Sequence, residues 1–358
     1  MNTILILGGA GFIGSNFINY LLYKYQPHSN NNSNNSNNNN NNVKNQRYAI
    51  KNFDTNKYSI INLDKLTYAG NIDNLDGFAQ FSNYAFIKGD INDKELVNSI
   101  LKNHNVNIIV NFAAESHVDN SIINPNIFVE TNVLGTANLL SCAKEFWQKD
   151  DFENKLFIQI STDEVYGSLD ENTSAKFTET TPLAPHSPYS ASKAGADLLV
   201  QSYYDTYKFP TVITRCSNNY GPRQYPEKLI PLMLKNALQN KKLPVYGDGK
   251  NVRDWIFVDA HCEAIIKVIE RGNIGEVYNI GANCEKQNIE IVKFILDYLG
   301  KPHSLIEYVE DRLGHDRRYA VDSSKTINLL GWEPQNNFDI HIKNTIDWYI
   351  NNPKWLNI

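Results

Sequence analysis

Tyr189 and Lys193 stand four residues apart in Tyr189-Ser190-Ala191-Ser192-Lys193, downstream of the run Ser161-Thr162-Asp163-Glu164-Val165-Tyr166-Gly167. On a helix that spacing puts phenol and ammonium on one face. A tyrosine titrates near pH 10 in water, too high for a base at neutral pH, and a neighbouring cation favours the phenolate. The pair therefore suits proton removal from an alcohol while a hydride leaves the same carbon. We expect Lys193 and a positive nicotinamide to lower the Tyr189 pKa together, with Lys193 also holding the nicotinamide ribose. The adjacent carboxyls Asp163 and Glu164 add a second chemistry. A new ketone acidifies the neighbouring C–H, one carboxylate removes that proton, and a carboxylic acid protonates a hydroxyl one carbon further on, so that water leaves. The combination points to redox-assisted dehydration of a sugar.

A cofactor must take the hydride, and the start of the chain offers its cradle. Gly8-Gly9-Ala10-Gly11-Phe12-Ile13-Gly14 follows an apolar run and opens a helical pattern. Glycines at this spacing allow a tight turn, close approach of backbone to a pyrophosphate, and packing of helix on strand. The acidic residue expected about 20 positions later is displaced. Asp64 lies well beyond that spacing, behind an Asn/Ser tract at residues 29–42. Removing roughly thirty inserted residues restores the spacing of the fingerprint. Asp64 then accepts from the adenosine ribose hydroxyls and repels a 2′-phosphate, which selects NAD over NADP. Asp90 and Ile91 suit the adenine edge.

These residues need a scaffold. Residues 4–7, 59–63, 84–88, 107–112, 156–160 and 211–215 read as buried strands. Residues 12–24, 93–104, 127–146 and 190–207 read as the helices between them. Alternation of this kind predicts an α/β fold with a doubly wound parallel sheet of the Rossmann type. Beyond Asn218 the rhythm changes: helices at 229–240, 258–271 and 289–299 fall among short strands, giving a smaller C-terminal α+β substrate lobe. We assign residues 1–217 and about 251–280 to the NAD-binding domain, and residues 218–250 and 281–358 to a nucleotide-sugar lobe. Gly247-Asp248-Gly249 marks a turn between the two. The tract at 29–42 has no apolar residue to bury and reads as a disordered surface insertion. Its sequons at Asn31 and Asn34 matter only in a secreted chain.

Composition narrows the classes. The chain has 358 residues and a net charge of −5, which argues against broad nucleic-acid binding. No apolar stretch reaches the ~20 residues that span a bilayer, and the first residues run directly into a strand instead of forming a basic leader. Cys142, Cys216, Cys262 and Cys284 are scattered without a Cys-x-x-Cys. Free thiols in a reducing cytoplasm fit better than disulfides or a metal site.

Nearly the whole chain, apart from the Asn tract, resembles the dTDP-glucose 4,6-dehydratases, a family within the extended short-chain dehydrogenase/reductase superfamily. The likeness rests on Gly8–Gly14, residues 62–71, Ala113-Ala114-Glu115-Ser116-His117-Val118-Asp119, the Thr162-Asp163-Glu164 and Tyr189/Lys193 motifs, residues 215–222 and 226–231, Arg253-Asp254-Trp255, and residues 314–319. The resemblance implies that Thr162 polarises the sugar 4-hydroxyl as Tyr189 deprotonates it. It makes Glu164 the base at C5 and Asp163 the acid at the C6 hydroxyl, with hydride returned to C6 and NAD retained through the cycle. It also implies cofactor contacts from Gly8, Gly11, Phe12, Ile13, Gly14, Lys65, Leu66, Thr67, Ala113, Ala114, Glu115, Ser116, His117, Thr131 and Asn219. Nucleotide-sugar contacts would come from His117, Thr162, Asn218, Glu227, Lys228, Leu229, Arg253, Asn279, Asp311, Arg312 and His315, Arg253 facing the diphosphate. A homodimer formed through residues 127–146 and 190–207 is implied as well. Two positions depart from the family, which commonly has arginine at Asn120 and proline at Leu313. Residues touching the base are not decodable from sequence, so UDP-glucose stays open as the substrate. A 4-epimerase is a further alternative, although it has no use for acid and base at C5 and C6.

Overall fold

The computed structural model describes residues 2–24, 50, 58–334 and 337–357. The Asn/Ser tract and its sequons lie outside the described residues. Twelve strands are present among those described: β1 Asn2–Leu7, β2 Tyr58–Asp64, β3 Tyr84–Lys88, β4 Ile108–Asn111, β5 Leu156–Thr162, β6 Thr211–Cys216, β7 Asn218–Tyr220, β8 Leu243–Tyr246, β9 Val252–Phe257, β10 Val277–Ile280, β11 Glu285–Gln287 and β12 Ile306–Val309. Seven form one sheet in the order β10-β6-β5-β4-β1-β2-β3, and every pairing in it is parallel.

The apolar runs are continuous, not alternating, because helices cover both faces of the sheet. Along β1 the two sides separate residue by residue. Ile4 and Ile6 pack with Phe17 of the Phe12–Asn19 helix and Ile265 of the Val258–Arg271 helix. Leu5 and Leu7 face Leu101, Leu139 and Val200 from the Lys94–Asn103, Gly135–Trp147 and Pro188–Tyr207 helices. Strand order runs outward in opposite directions from the β1/β4 boundary. Ligands of open α/β sheets bind at the carboxyl ends of strands flanking such a reversal.

The chain leaves the large sheet at β6 and, after the single residue Ser217, enters β7. β7 pairs with β9, which pairs with β11, while β8 pairs with β12. These two small sheets share a core with the Leu229–Leu238, Asn288–Tyr298 and Phe338–Asn351 helices around Trp255, Ile295 and Ile346. The Gly247–Gly249 turn connects β8 to β9, inside this smaller part and not between the two parts as expected. β9 lies in the three-stranded sheet, whereas the Val258–Arg271 helix and β10 pack with the large one.

Three features depart from the sequence expectation. β10 joins the large sheet as its seventh strand, although Val-Tyr-Asn-Ile is too short to stand out as a run. The first helix widens into a π-helical turn over Tyr20–Lys24. The helix expected at 127–146 is built from Pro125–Phe128, a π-helical stretch Val129–Leu134, and Gly135–Trp147. π-Bulges of this kind often occur at functional sites, and this one carries Thr131 to the main cleft.

Candidate active site

The main cleft opens where the loops after β1, β2, β3 and β4 meet. Gly8 has φ +77°, and a Cβ there would come within 2.8 Å of the Ala113 Cα. A Cβ on Gly14 would lie 2.3 Å from the Gly8 carbonyl oxygen. A side chain at Gly8 would drive apart the loops after β1 and β4, and one at Gly14 would break the fold of the glycine loop itself. The Phe12–Asn19 helix starts without a side-chain cap, leaving its first N–H groups free for an anion. Asp64 ends β2 and is buried. Its Oδ2 accepts from the Ala10 N–H at 2.8 Å and its Oδ1 from the Leu66 N–H at 2.7 Å. Burial pushes its pKa up, against the pull of those two bonds. Lys65 pairs with Asp90 at 2.6 Å on the same side.

Gly8, Gly11, Phe12, Ile13, Gly14, Asp64, Lys65, Thr67, Asp90, Ile91, Ala113, Ala114, Glu115, Ser116, Thr131 and Asn219 all line this cleft. Leu66 does not; its contribution is the N–H that fixes Asp64. A cradle closed to side chains, an uncapped helix start and a fixed carboxylate are the features that a dinucleotide diphosphate and its ribose require, so the residues present fit NAD.

The chemistry lies at the inner end. β5 ends at Thr162, and a 3₁₀ turn over Asp163–Tyr166 follows. The Pro188–Tyr207 helix starts behind a reciprocal Ser187/Ser190 cap with proline at its first turn, which fixes the axis that carries Tyr189 and Lys193. The Tyr189 phenol and Thr162 both line the inner end of the cleft, and Thr162 favours the ionised phenol. Lys193 Nζ donates to the Ile160 carbonyl at 2.7 Å. The expected lowering of the Tyr189 pKa is not found. Burial, and next the Glu164 carboxylate, push it well above its ordinary value. Lys193 is itself buried, and that burial lowers its own pKa.

The two carboxyls differ. Asp163 is 2% exposed; burial, then the negative charges of Glu164 and Asp254, push its pKa far up. Its Oδ1 accepts from Thr162 Oγ1 at 3.3 Å, and its Oδ2 has no partner. Glu164 is half-buried. Burial raises its pKa too, but Arg253 and Lys228 oppose the rise. Burial thus favours the protonated form of both carboxyls, more strongly for Asp163, while cations face Glu164.

A second cleft opens beside the first, and the two share Ser116, Glu164, Asn218, Glu227 and Lys228. His117, Leu229, Arg253, Arg312 and His315 of the expected set also line it, while Thr162 lines only the main cleft. Arg253 is buried, donating to the Val252 and Asp316 carbonyls at 2.8 and 2.9 Å, with its guanidinium 4.3 Å from the Tyr319 ring centre. Lys228 Nζ donates to the Ser116 carbonyl at 2.9 Å. Arg312 pairs with Asp119 at 2.5 Å. Burial lowers the pKa of both His117 and His315. Two expected residues stand apart. Asp311 lines neither cleft and holds His315 Nδ1 at 2.6 Å. Asn279 is fully buried; its Oδ1 accepts from the Tyr166 hydroxyl at 2.8 Å and its Nδ2 donates to the Phe177 carbonyl at 3.1 Å.

One residue the motifs do not announce is Asn132, in the π-helical stretch. Its side chain binds both main-chain polar groups of Glu115, at 2.9 and 3.0 Å, and donates to Ser192 Oγ at 2.8 Å. It joins the cofactor loop to the helix of Tyr189. No local pattern marks it, since both partners are remote in sequence.

A seven-stranded parallel sheet, a glycine cradle and a Tyr/Lys pair beside a sugar-sized second cleft define an extended short-chain dehydrogenase/reductase. Residues 47–345 match the family described as GDP-mannose 4,6 dehydratase. The dTDP-glucose 4,6-dehydratase of Xanthomonas campestris pv. campestris is 46% identical over 99% of this chain and 95% of its own. A crystal structure of the Bacillus anthracis dTDP-glucose 4,6-dehydratase in complex with NAD aligns with TM-score 0.83 at 47% identity, covering 99% of this chain and 98% of that one. The Streptomyces venezuelae enzyme of the same name, solved with NAD and TYD bound, aligns with TM-score 0.85 at 43% identity over 99% and 98%. This chain belongs to the dTDP-glucose 4,6-dehydratase family.

Proposed function

We infer that the chain converts dTDP-glucose to dTDP-4-keto-6-deoxyglucose and water. The observation that carries this reading is the pair Asp163 and Glu164 lining the main cleft with Tyr189, Glu164 also facing the second cleft. When bound in the main cleft, NAD supplies the acceptor for the C4 hydride, the donor that returns it to C6, and a positive charge beside the phenol. That charge matters because the protein alone holds the Tyr189 proton tightly.

Tyr189 takes the proton of the C4 hydroxyl, while Thr162, beside it in the cleft, orients the same oxygen. Glu164, whose carboxylate form Arg253 and Lys228 favour against its burial, then removes the C5 proton. Asp163 gives its proton to the C6 hydroxyl, and the C6–O bond breaks as water forms. After hydride reaches C6, Glu164 returns a proton to C5. Arg253, Lys228 and Arg312 meet the diphosphate, where a planar guanidinium pairs two oxygens. His117, Asn218, Glu227, Leu229 and His315 line the remainder of the nucleotide-sugar cleft.

We assign residues 1–217 and about 251–280 to the cofactor and residues 218–250 and 281–358 to the nucleotide sugar, except for β9, which joins the smaller part and brings Arg253 to the second cleft. The protein works as a cytoplasmic homodimer. Ile127, Leu134 and Leu198 are exposed on the helices expected to pair, and no helix of the described residues is long and apolar enough to cross a membrane.

The test is product identity, by NMR, from dTDP-glucose and UDP-glucose at equal concentration in D₂O. A 4-keto-6-deoxy product carrying deuterium at C5, formed faster from dTDP-glucose, is expected. A galactose product would replace the dehydratase by an epimerase, and faster turnover of UDP-glucose would replace the substrate.

A further inference from the structure

Beneath the active site lies a charged pair that the chemistry above does not use. Asp197 is one helical turn beyond Lys193 and only 1% exposed, and Arg215 on β6 is 4% exposed. Arg215 Nε donates to Asp197 Oδ2 at 2.9 Å, and its Nη1 donates to the Tyr166 hydroxyl at 3.0 Å. That hydroxyl in turn donates to Asn279. Asp197 Oδ1 is buried without a hydrogen-bond partner. An isolated pair of this kind is expensive to bury and gives little stability in return. A reason specific to its place is therefore needed.

Lys193 supplies it. Its ammonium is buried, and its one hydrogen bond among the described residues goes to the Ile160 carbonyl on β5. Burial alone favours the neutral amine, which could not support a phenolate. The titratable groups around it are Tyr189 and Asp197 on its own helix and the Cys216 thiol on β6; of these, Asp197 opposes the burial most strongly. Asp197 faces the same penalty, and Arg215 beside it favours its ionised form. Tyr166 belongs to the turn that carries Asp163 and Glu164.

We propose that Asp197 is a positioning residue: held ionised by Arg215, it keeps Lys193 as an ammonium behind Tyr189, and Tyr166 ties this pair to the turn bearing the two carboxyls. The proposal rests on Tyr189 and Lys193 being the proton-handling pair, and the controls keep the two apart.

The experiment follows the Lys193 side chain directly. In protein labelled with ¹³Cε-lysine, the signal absent from K193R is titrated in the parent and in Asp197→Asn, with NAD bound. The Lys193 midpoint should fall by at least one pH unit in Asp197→Asn, a tenfold change in the proton equilibrium. In parallel, the rate of NADH formation from dTDP-glucose should gain a descending alkaline limb that the parent lacks over the same range. If Asp197→Asn does not fold, Asp197→Leu/Arg215→Met removes both charges with apolar replacements, and the midpoint should again lie below the parent's. An unchanged midpoint, or an alkaline profile merely scaled down, would overturn the proposal. Tyr189→Phe that still forms NADH would instead overturn the assignment of the pair itself.

Discussion

Lowering the pH should unlock the protein at His261. The side chain is 0% exposed. Its Nδ1 donates to Asn219 Oδ1 at 2.9 Å, and its Nε2 is buried without a partner. Burial pushes the imidazole from 6.5 down to about 3. A group whose folded pKa is depressed costs nothing above its unfolded pKa; its contribution is lost as pH falls below that value. At pH 5 the unfolded chain has taken up a proton that the folded chain refuses. With about 1.4 kcal/mol per pH unit, and about 1.5 units below the unfolded pKa, the folded state loses about 2 kcal/mol. His261→Gln keeps a donor for Asn219 and cannot titrate. We expect the stability difference between pH 7.5 and pH 5, from urea unfolding with saturating NAD, to shrink by about 2 kcal/mol in this variant. Equal pH dependence in parent and variant would show that His261 is charged, or exposed, in the folded protein. Because Asn219 lines the cofactor cleft, release of NAD should precede unfolding on the acid side.

Three further outcomes test the site. Asp64→Ala strands the Ala10 and Leu66 N–H groups, each worth about 1–3 kcal/mol when left unpaired, so NAD content after purification should fall at least about tenfold; full retention would refute the assignment of Asp64. Glu164→Gln should still form NADH but exchange the C5 hydrogen with solvent about 10²–10⁴-fold more slowly, read by deuterium incorporation; normal exchange would point to another base. Asp163→Asn should keep C5 exchange and slow water loss by a similar about 10²–10⁴-fold, so that a 4-keto hexose still bearing its 6-hydroxyl accumulates under single-turnover conditions; unimpaired water loss would exclude it as the acid.

Much of the architecture was written in the order of apolar runs, since strands buried on both faces leave long unbroken patterns such as those of β1 and β5. β10 escaped because four residues carry no period. The turn at Gly247–Gly249 showed as a turn, but not which strands it joins, because β8 and β9 find their partners far along the chain. The cofactor cleft was legible because glycine spacing encodes a local shape, and Asp64 emerged once the insertion was set aside. What sequence could not give was the consequence of burial. Tyr189 next to Lys193 in sequence suggests a lowered pKa, whereas in space the ammonium turns to the Ile160 carbonyl and the phenol is desolvated beside Glu164. The family resemblance assigns Asn279 to the substrate, yet its amide is spent on Tyr166 and Phe177. Asn132 and Asp197 are visible only when β4, β5 and β6 are side by side.

Two neighbouring residues of the same chemical class meet unlike charges along one 3₁₀ turn, and burial raises Asp163 more than Glu164. Asp163 faces the closed side, where Asp254, itself raised to about 6 by burial, adds a second negative charge to the desolvation. Glu164 faces the junction of the clefts, where Arg253 and Lys228 arrive from the smaller part of the chain. The acid is thus favoured by the interior, and the carboxylate form of the base by the lobe that receives the sugar nucleotide. An anionic diphosphate drawing on those same cations would make Glu164 more basic as its role as proton acceptor begins, and, by weakening the pull of Arg253 on Asp163 as well, would favour the protonated form of the acid. That coupling lets substrate binding itself prepare the two carboxyls. It also explains why an enzyme that only inverts C4 has no need of either.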